Sequence, residues 1–67
     1  MKAKFIMSHS ILGFEPKHIY DVDVSYDTEL NQYRCEASYD HRTGKTVDYM
    51  LYLSSVLSVN RYFRELE

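Results

Sequence analysis

From His18 to Tyr26 the chain reads HIYDVDVSY, an alternation in which Tyr20, Val22, Val24 and Tyr26 fall on one side and Asp21, Asp23 and Ser25 on the other. Successive side chains of a β-strand point to opposite faces, so a period of two sustained this long specifies a half-buried strand. QYRCEASYD repeats the pattern, with Tyr33, Cys35, Ala37 and Tyr39 on the apolar side and Arg34, Glu36, Ser38 and Asp40 on the polar one. TELN at 28 to 31 separates the two runs. A four-residue loop there closes a hairpin with Tyr26 opposite Tyr33, Val24 opposite Cys35, Val22 opposite Ala37 and Tyr20 opposite Tyr39, and every apolar residue stays on one face.

The same parity tests the next stretch. If Arg42, Thr43 and Gly44 form a three-residue loop with Gly44 left-handed, then His41 faces Lys45 and Tyr39 faces Val47. Pairing continues as Ala37 with Tyr49, Cys35 with Leu51 and Tyr33 with Leu53, and β-branched and aromatic residues dominate Thr46 to Tyr52, as a strand prefers. The competing reading is one unbroken helix from Thr46 to Leu66, which would be apolar over more than half its circumference; the strand is the better fit. In SSVLSVNRYFRELE, Ser54 or Ser55 caps a helix whose Val56, Val59, Phe63 and Leu66 form one stripe, with Ser54, Ser58, Arg61 and Glu65 opposite. That stripe is expected to cover the tyrosine-rich face of the sheet. KAKFIMS alternates as an edge strand able to pair within its own chain or with a second copy, and ILGFEPK reads as an irregular connection with Pro16 at a turn. The expected fold is α+β, a four-stranded antiparallel meander followed by one C-terminal helix packed on its tyrosine-rich face (β-β-β-β-α), as a single domain over residues 1 to 67.

A chain of 67 residues buries only about 60% of the surface its unfolded state exposes, so the core is thin. Cys35 is the sole cysteine, which rules out an internal disulfide and points to a reducing compartment. Dimerisation is then the simplest further source of stability, and a homodimer is expected. A net charge of -2 offers no general attraction to nucleic acid or to an anionic membrane. MKAKFIMSHSILGF holds no apolar run of signal-peptide length and YMLYL is too short to cross a bilayer, so the expectation is a soluble, cytoplasmic protein.

The polar side of the sheet carries the main functional candidates. Asp21, Asp23, Asp27, Glu36, Asp40 and Asp48 should share a surface with only Arg34 as an in-face cation, and Asp23 falls opposite Glu36, a like-charge pair that sheets avoid. Met50 and Tyr52 project from the same face, like an interface anchor within a polar rim. Leu57 and Tyr62 lie off the helical stripe and could form a second contact surface. An open sheet face gives no pocket to desolvate a carboxylate for acid-base work, and no glycine-containing calcium loop is present. His9, His18 and His41 lie on separate segments, Cys35 belongs to the inward face, and Gly13 and Gly44 stand alone. No metal, cofactor or catalytic group is therefore expected, and the chain reads as a non-enzyme. The bland alternative for the acidic face is a solvated surface neutralised by Lys2 and Lys4.

These features fit a small protein-binding module, an inhibitor or regulator docking a larger partner of basic surface, of the compact acidic kind common among phage and mobile-element accessory proteins. The element order is also similar to that of the Whirly and PUR types of single-stranded nucleic-acid binders. That resemblance implies a dimer holding single strands on a basic, aromatic sheet face, whereas the face read here is acidic.

Overall fold

The computed structural model describes residues 1 to 66. Its elements are β1 (Lys2–Phe5), β2 (Ile19–Asp27), β3 (Gln32–Asp40), β4 (Lys45–Leu53), α1 (Val56–Tyr62) and β5 (Phe63–Glu65). All pairings are antiparallel, and the sheet order is β4-β3-β2-β1-β5, a four-stranded meander extended by one short strand. Parity sets most of the register. Tyr26 pairs with Tyr33, Val24 with Cys35 and Val22 with Ala37, and then Ala37 with Tyr49, Cys35 with Leu51 and Tyr33 with Leu53. Thr46 lies within a strand, so the long helix does not form.

Three features depart from the expectation. The first is a β-bulge at Ser38. Val22 pairs with Ala37 but Asp21 already pairs with Tyr39, so Tyr20 meets Asp40 instead of Tyr39, and on the other side Tyr39 meets Thr46 instead of Val47. One extra residue exchanges the faces beyond it. Tyr39 passes to the polar side and packs edge-on against His41, ring centroids 5.0 Å apart. Asp40 turns inward and is only 4% exposed, so its expected place on the acidic face is corrected here. Its Oδ2 lies 2.8 Å from His18 Nδ1, while Oδ1 accepts from the Arg42 and Thr43 amides at 2.8 and 3.3 Å. The Gly44 amide donates to the Asp40 carbonyl at 2.8 Å and Gly44 has φ 71°. The loop accordingly spans four residues, 41 to 44, with Gly44 left-handed as anticipated.

The second departure is at the C-terminal end. Ser55 caps α1, its Oγ accepting from the Ser58 amide at 3.1 Å. The helix stops after Tyr62 because Phe63 turns extended (φ -129°, ψ 140°), and Phe63–Glu65 pairs with β1. The Ile6 amide donates to the Tyr62 carbonyl at 2.9 Å, which holds the junction to the end of β1. β1 is therefore interior, paired on both sides within its own chain, and β5 covers the edge it would otherwise expose. The expected stripe breaks up: Val59 and Phe63 are buried, whereas Val56 is 52% exposed.

The third is the cover of the apolar face, which α1 shares with the connection between β1 and β2. Phe14 in that connection is fully buried, with ring centroids 5.4, 5.1, 5.6 and 5.2 Å from Phe5, Tyr20, Tyr49 and Phe63. Such offset and edge-on aromatic contacts add to the apolar area removed from water. Gly13 (φ 99°) brings the backbone so close to Tyr49 that an added Cβ would stand 2.4 Å from its Cδ1. Tyr20, wholly buried, accepts from the Glu15 amide at 2.8 Å through its hydroxyl, and burial pushes that hydroxyl's pKa up. Not every tyrosine is covered: Tyr26, expected in the core, is 49% exposed. Among the described residues no helix is long and apolar enough to cross a membrane.

Candidate interaction surface

The polar face is best followed along rows that run across the strands. One row reads Lys2, Asp21, Tyr39, Thr46; the next Asp23, Glu36, Met50; the next Ser25, Arg34, Tyr52. Opposed Cβ atoms in such rows lie about 4.5–5.5 Å apart. Asp23 is exposed and Glu36 half-buried, so the like-charge pair read from the sequence is present. Asp48, also exposed, lies on β4 beside it.

Among the described residues Asp23, Glu36 and Asp48 take part in no ion pair. The ion pairs among the described residues are His18 with Asp40 and His41 with Asp21, neither involving a lysine or arginine. Lys2 stands across from Asp21, yet the Asp21 Oδ1 is engaged by His41 Nε2 at 2.7 Å. Lys4 pairs with Ile19 on one side and Arg64 on the other. Arg34 is half-buried and its Nε has no hydrogen-bond partner. Apart from the half-buried Arg34 on β3, the charges of the face are thus segregated, with cations toward β1 and β5 and carboxylates over β2, β3 and β4.

Of the residues singled out from the sequence, Asp21, Asp23, Glu36, Asp48, Met50 and Tyr52 do share this face. Met50 and Tyr52 are 38% and 37% exposed and lie on β4, the terminal strand of the sheet, whose outer backbone edge is unpaired. Asp27 is spent on the hairpin turn, its Oδ1 accepting from the Glu29 and Leu30 amides at 3.0 and 3.1 Å. Asp40 is beneath the sheet. Burial pushes its pKa up, but the hydrogen bonds from His18, Arg42 and Thr43 outweigh that and hold the carboxyl below its ordinary value. Tyr39 and His41 join the face unannounced, because the bulge that delivers them leaves no mark in the alternation, whereas Thr46 lies there by the parity of β4. Cys35 is buried on the opposite side, and burial pushes its thiol pKa up to about 11, which keeps it protonated and poorly nucleophilic. Among the described residues no three His, Cys, Asp or Glu side chains are placed to hold a metal ion.

No protein-family model, curated protein or solved structure matches the chain.

Proposed function

We propose that the protein is a small non-enzymatic binding module that docks a basic surface of a larger protein against the ridge of Asp21, Asp23, Glu36 and Asp48, with Met50 and Tyr52 as the apolar anchor, and so inhibits or regulates that partner. The observation that carries this reading is the Asp23–Glu36 pair, placed directly opposite, with neither carboxylate in an ion pair among the described residues. Opposed like charges destabilise a sheet by a few tenths to about 1 kcal/mol, a cost that a cationic partner would relieve. Methionine and tyrosine are enriched at interfaces relative to other surface, and bordering carboxylates supply the polar rim. The unpaired nine-residue edge of β4 is also suited to pairing with a second copy, which gives the homodimer a route. A lone buried cysteine fits a reducing compartment such as the cytoplasm.

The single-strand-binding alternative gains no support from the face. A base-stacking platform needs a groove of cations to track the phosphates, and the open aromatic Tyr52 has a single half-buried one, Arg34, opposite it, with the Asp23–Glu36 pair in the next row. β5 after the helix also departs from the element order that carried the resemblance.

The test is affinity capture from a lysate of the source cells with the wild type, with Asp23→Lys/Glu36→Lys and with Met50→Ala/Tyr52→Ala, the fold of each checked by circular dichroism. One stoichiometric protein, retained by the wild type and lost by both variants and at high salt, is expected. No captured protein, or the same proteins held by all three, refutes the reading.

A further inference from the structure

At the β5 side of the sheet a cleft of about 400 Å³ opens where β1 ends, lined among others by Lys4, Ile6, Met7, Pro16, Lys17 and Arg64. Three of these are cations and none of the lining residues is a carboxylate. Lys4 and Arg64 are direct cross-strand partners, a second like-charge pair, of opposite sign to the first. No ion pair among the described residues involves Lys4, Lys17 or Arg64.

Lys17 adds an independent observation. It has φ 71°, the left-handed region, where a side chain costs on the order of 1 kcal/mol that glycine would avoid. Backbone bonds hold it there: the Lys17 amide donates to the Phe5 carbonyl at 2.9 Å, and the Phe5 amide to the His18 carbonyl at 3.0 Å. A strained backbone thus keeps a cation at the rim of a cleft that already holds two. The walls are different in kind, since Ile6 is 42% exposed and Met7 and Pro16 stand beside it.

We propose that this cleft binds a small organic phosphate monoester, with the phosphate between Lys4, Lys17 and Arg64 and the organic part against Ile6, Met7 and Pro16. An arginine fork matches two phosphate oxygens while lysines supply point charges. The volume lies within the range of small-molecule sites, about 300–1,000 Å³. An anion would relieve the repulsion between Lys4 and Arg64, as a cationic partner would relieve that between Asp23 and Glu36. The proposal is independent of the protein-docking reading because the two sites share no residue.

Amide chemical-shift titration of the full chain at about physiological ionic strength tests it, with AMP, phenyl phosphate, adenosine and inorganic phosphate as probes. The two esters should give saturable shifts confined to the amides of residues 4 to 7, 17, 18 and 64, and adenosine none. Lys4→Gln and Arg64→Gln should each weaken ester binding on the order of tenfold, as loss of a charge-assisted contact implies, with the rest of the spectrum unchanged to show that the fold is intact. Four results would overturn the assignment: no saturable shift with either ester, shifts undiminished in both glutamine variants, shifts scattered over lysines outside the cleft, or inorganic phosphate binding as tightly as the esters.

Discussion

Gly13→Ala is the most demanding test of how the apolar face is covered. At φ 99° any Cβ is strained, at a cost of about 1–2 kcal/mol. The new methyl would also stand 2.4, 2.5 and 2.9 Å from Cδ1, Cε1 and Cγ of Tyr49. That ring cannot swing aside freely, because its edge-on contacts with Phe14 and Tyr20, centroids 5.6 and 6.1 Å apart, lie within the core. Overpacking of this kind costs about 1–3 kcal/mol, so the total is roughly 2–5 kcal/mol. A chain of 67 residues has only about 3–10 kcal/mol of stability, at roughly 0.05–0.15 kcal/mol per residue. Gly44→Ala is the control: φ is 71° and the nearest atom to its Cβ is the Tyr39 hydroxyl at 3.7 Å, ordinary contact, which leaves a conformational cost of about 1 kcal/mol. Urea unfolding followed by circular dichroism should show Gly13→Ala less stable than Gly44→Ala by at least about 1 kcal/mol, with a melting temperature lower by roughly 4–8 °C for each kcal/mol. Tyr49→Val should restore part of the Gly13→Ala loss in the double variant. Equal losses at the two glycines, or no restoration, would show that Tyr49 is not the wall against which residue 13 packs.

Other consequences can be checked by the same means. Asp40→Asn should cost about 1–3 kcal/mol, because the charge-assisted bonds to His18, Arg42 and Thr43 weaken or lose their acceptor. Since the carboxyl of Asp40 is held below its ordinary value in the fold, its contribution is complete above about pH 4 and disappears as pH falls through the lowered value; urea midpoints should fall on acidification more in the wild type than in Asp40→Asn. Glu36→Gln removes the repulsion with Asp23 and should stabilise the free protein by a few tenths to about 1 kcal/mol while reducing partner capture. The Cys35 thiol, buried with a pKa of about 11, should resist iodoacetamide at neutral pH in the native protein and react once urea unfolds it.

Where the alternation runs through the middle of the sheet, it determines the pairing outright. Shifting β3 by one residue would expose Cys35 and Ala37 and bury Glu36, so the register from Tyr33 to Ala37 follows from pattern alone. It fails at Ser38 because the letters SYDH continue the alternation while the backbone does not. The carboxylate of Asp40 is drawn under the sheet by His18 and the turn amides, an interaction fixed by tertiary neighbours. The end of α1 was illegible for a related reason: Phe63 and Leu66 fit a helical stripe, yet VNRYFRE carries no glycine to end a helix, and pairing with β1 decides the matter. Phe14 gives no periodic signal at all, being a single aromatic in a turn-rich segment. The acidic face shows the same division. Asp21, Asp23, Glu36 and Asp48 lie on strands and were placed by parity, whereas Asp27 and Asp40 lie at strand ends, where aspartate satisfies turn amides in preference to facing a partner.

The two like-charge pairs bear on function because the fold does not require them. Arg34 stands one pair along from Glu36, opposite Ser25, so a cation opposite Asp23 would fit the same strand and remove the repulsion. Lys4 and Arg64 could likewise be resolved by one carboxylate on the short edge strand. The Cβ atoms of each pair stand about 4.5–5.5 Å apart, inside the Debye length of about 8 Å at physiological salt, so solution ions screen the repulsion only in part. Both frustrated pairs sit on one open face, negative over β2 and β3 but for the half-buried Arg34 and positive over β1 and β5, and the net charge of -2 conceals the division. A binding partner drawn to either pole is turned away by the other, and such an arrangement fixes orientation and excludes wrong partners more than it adds affinity.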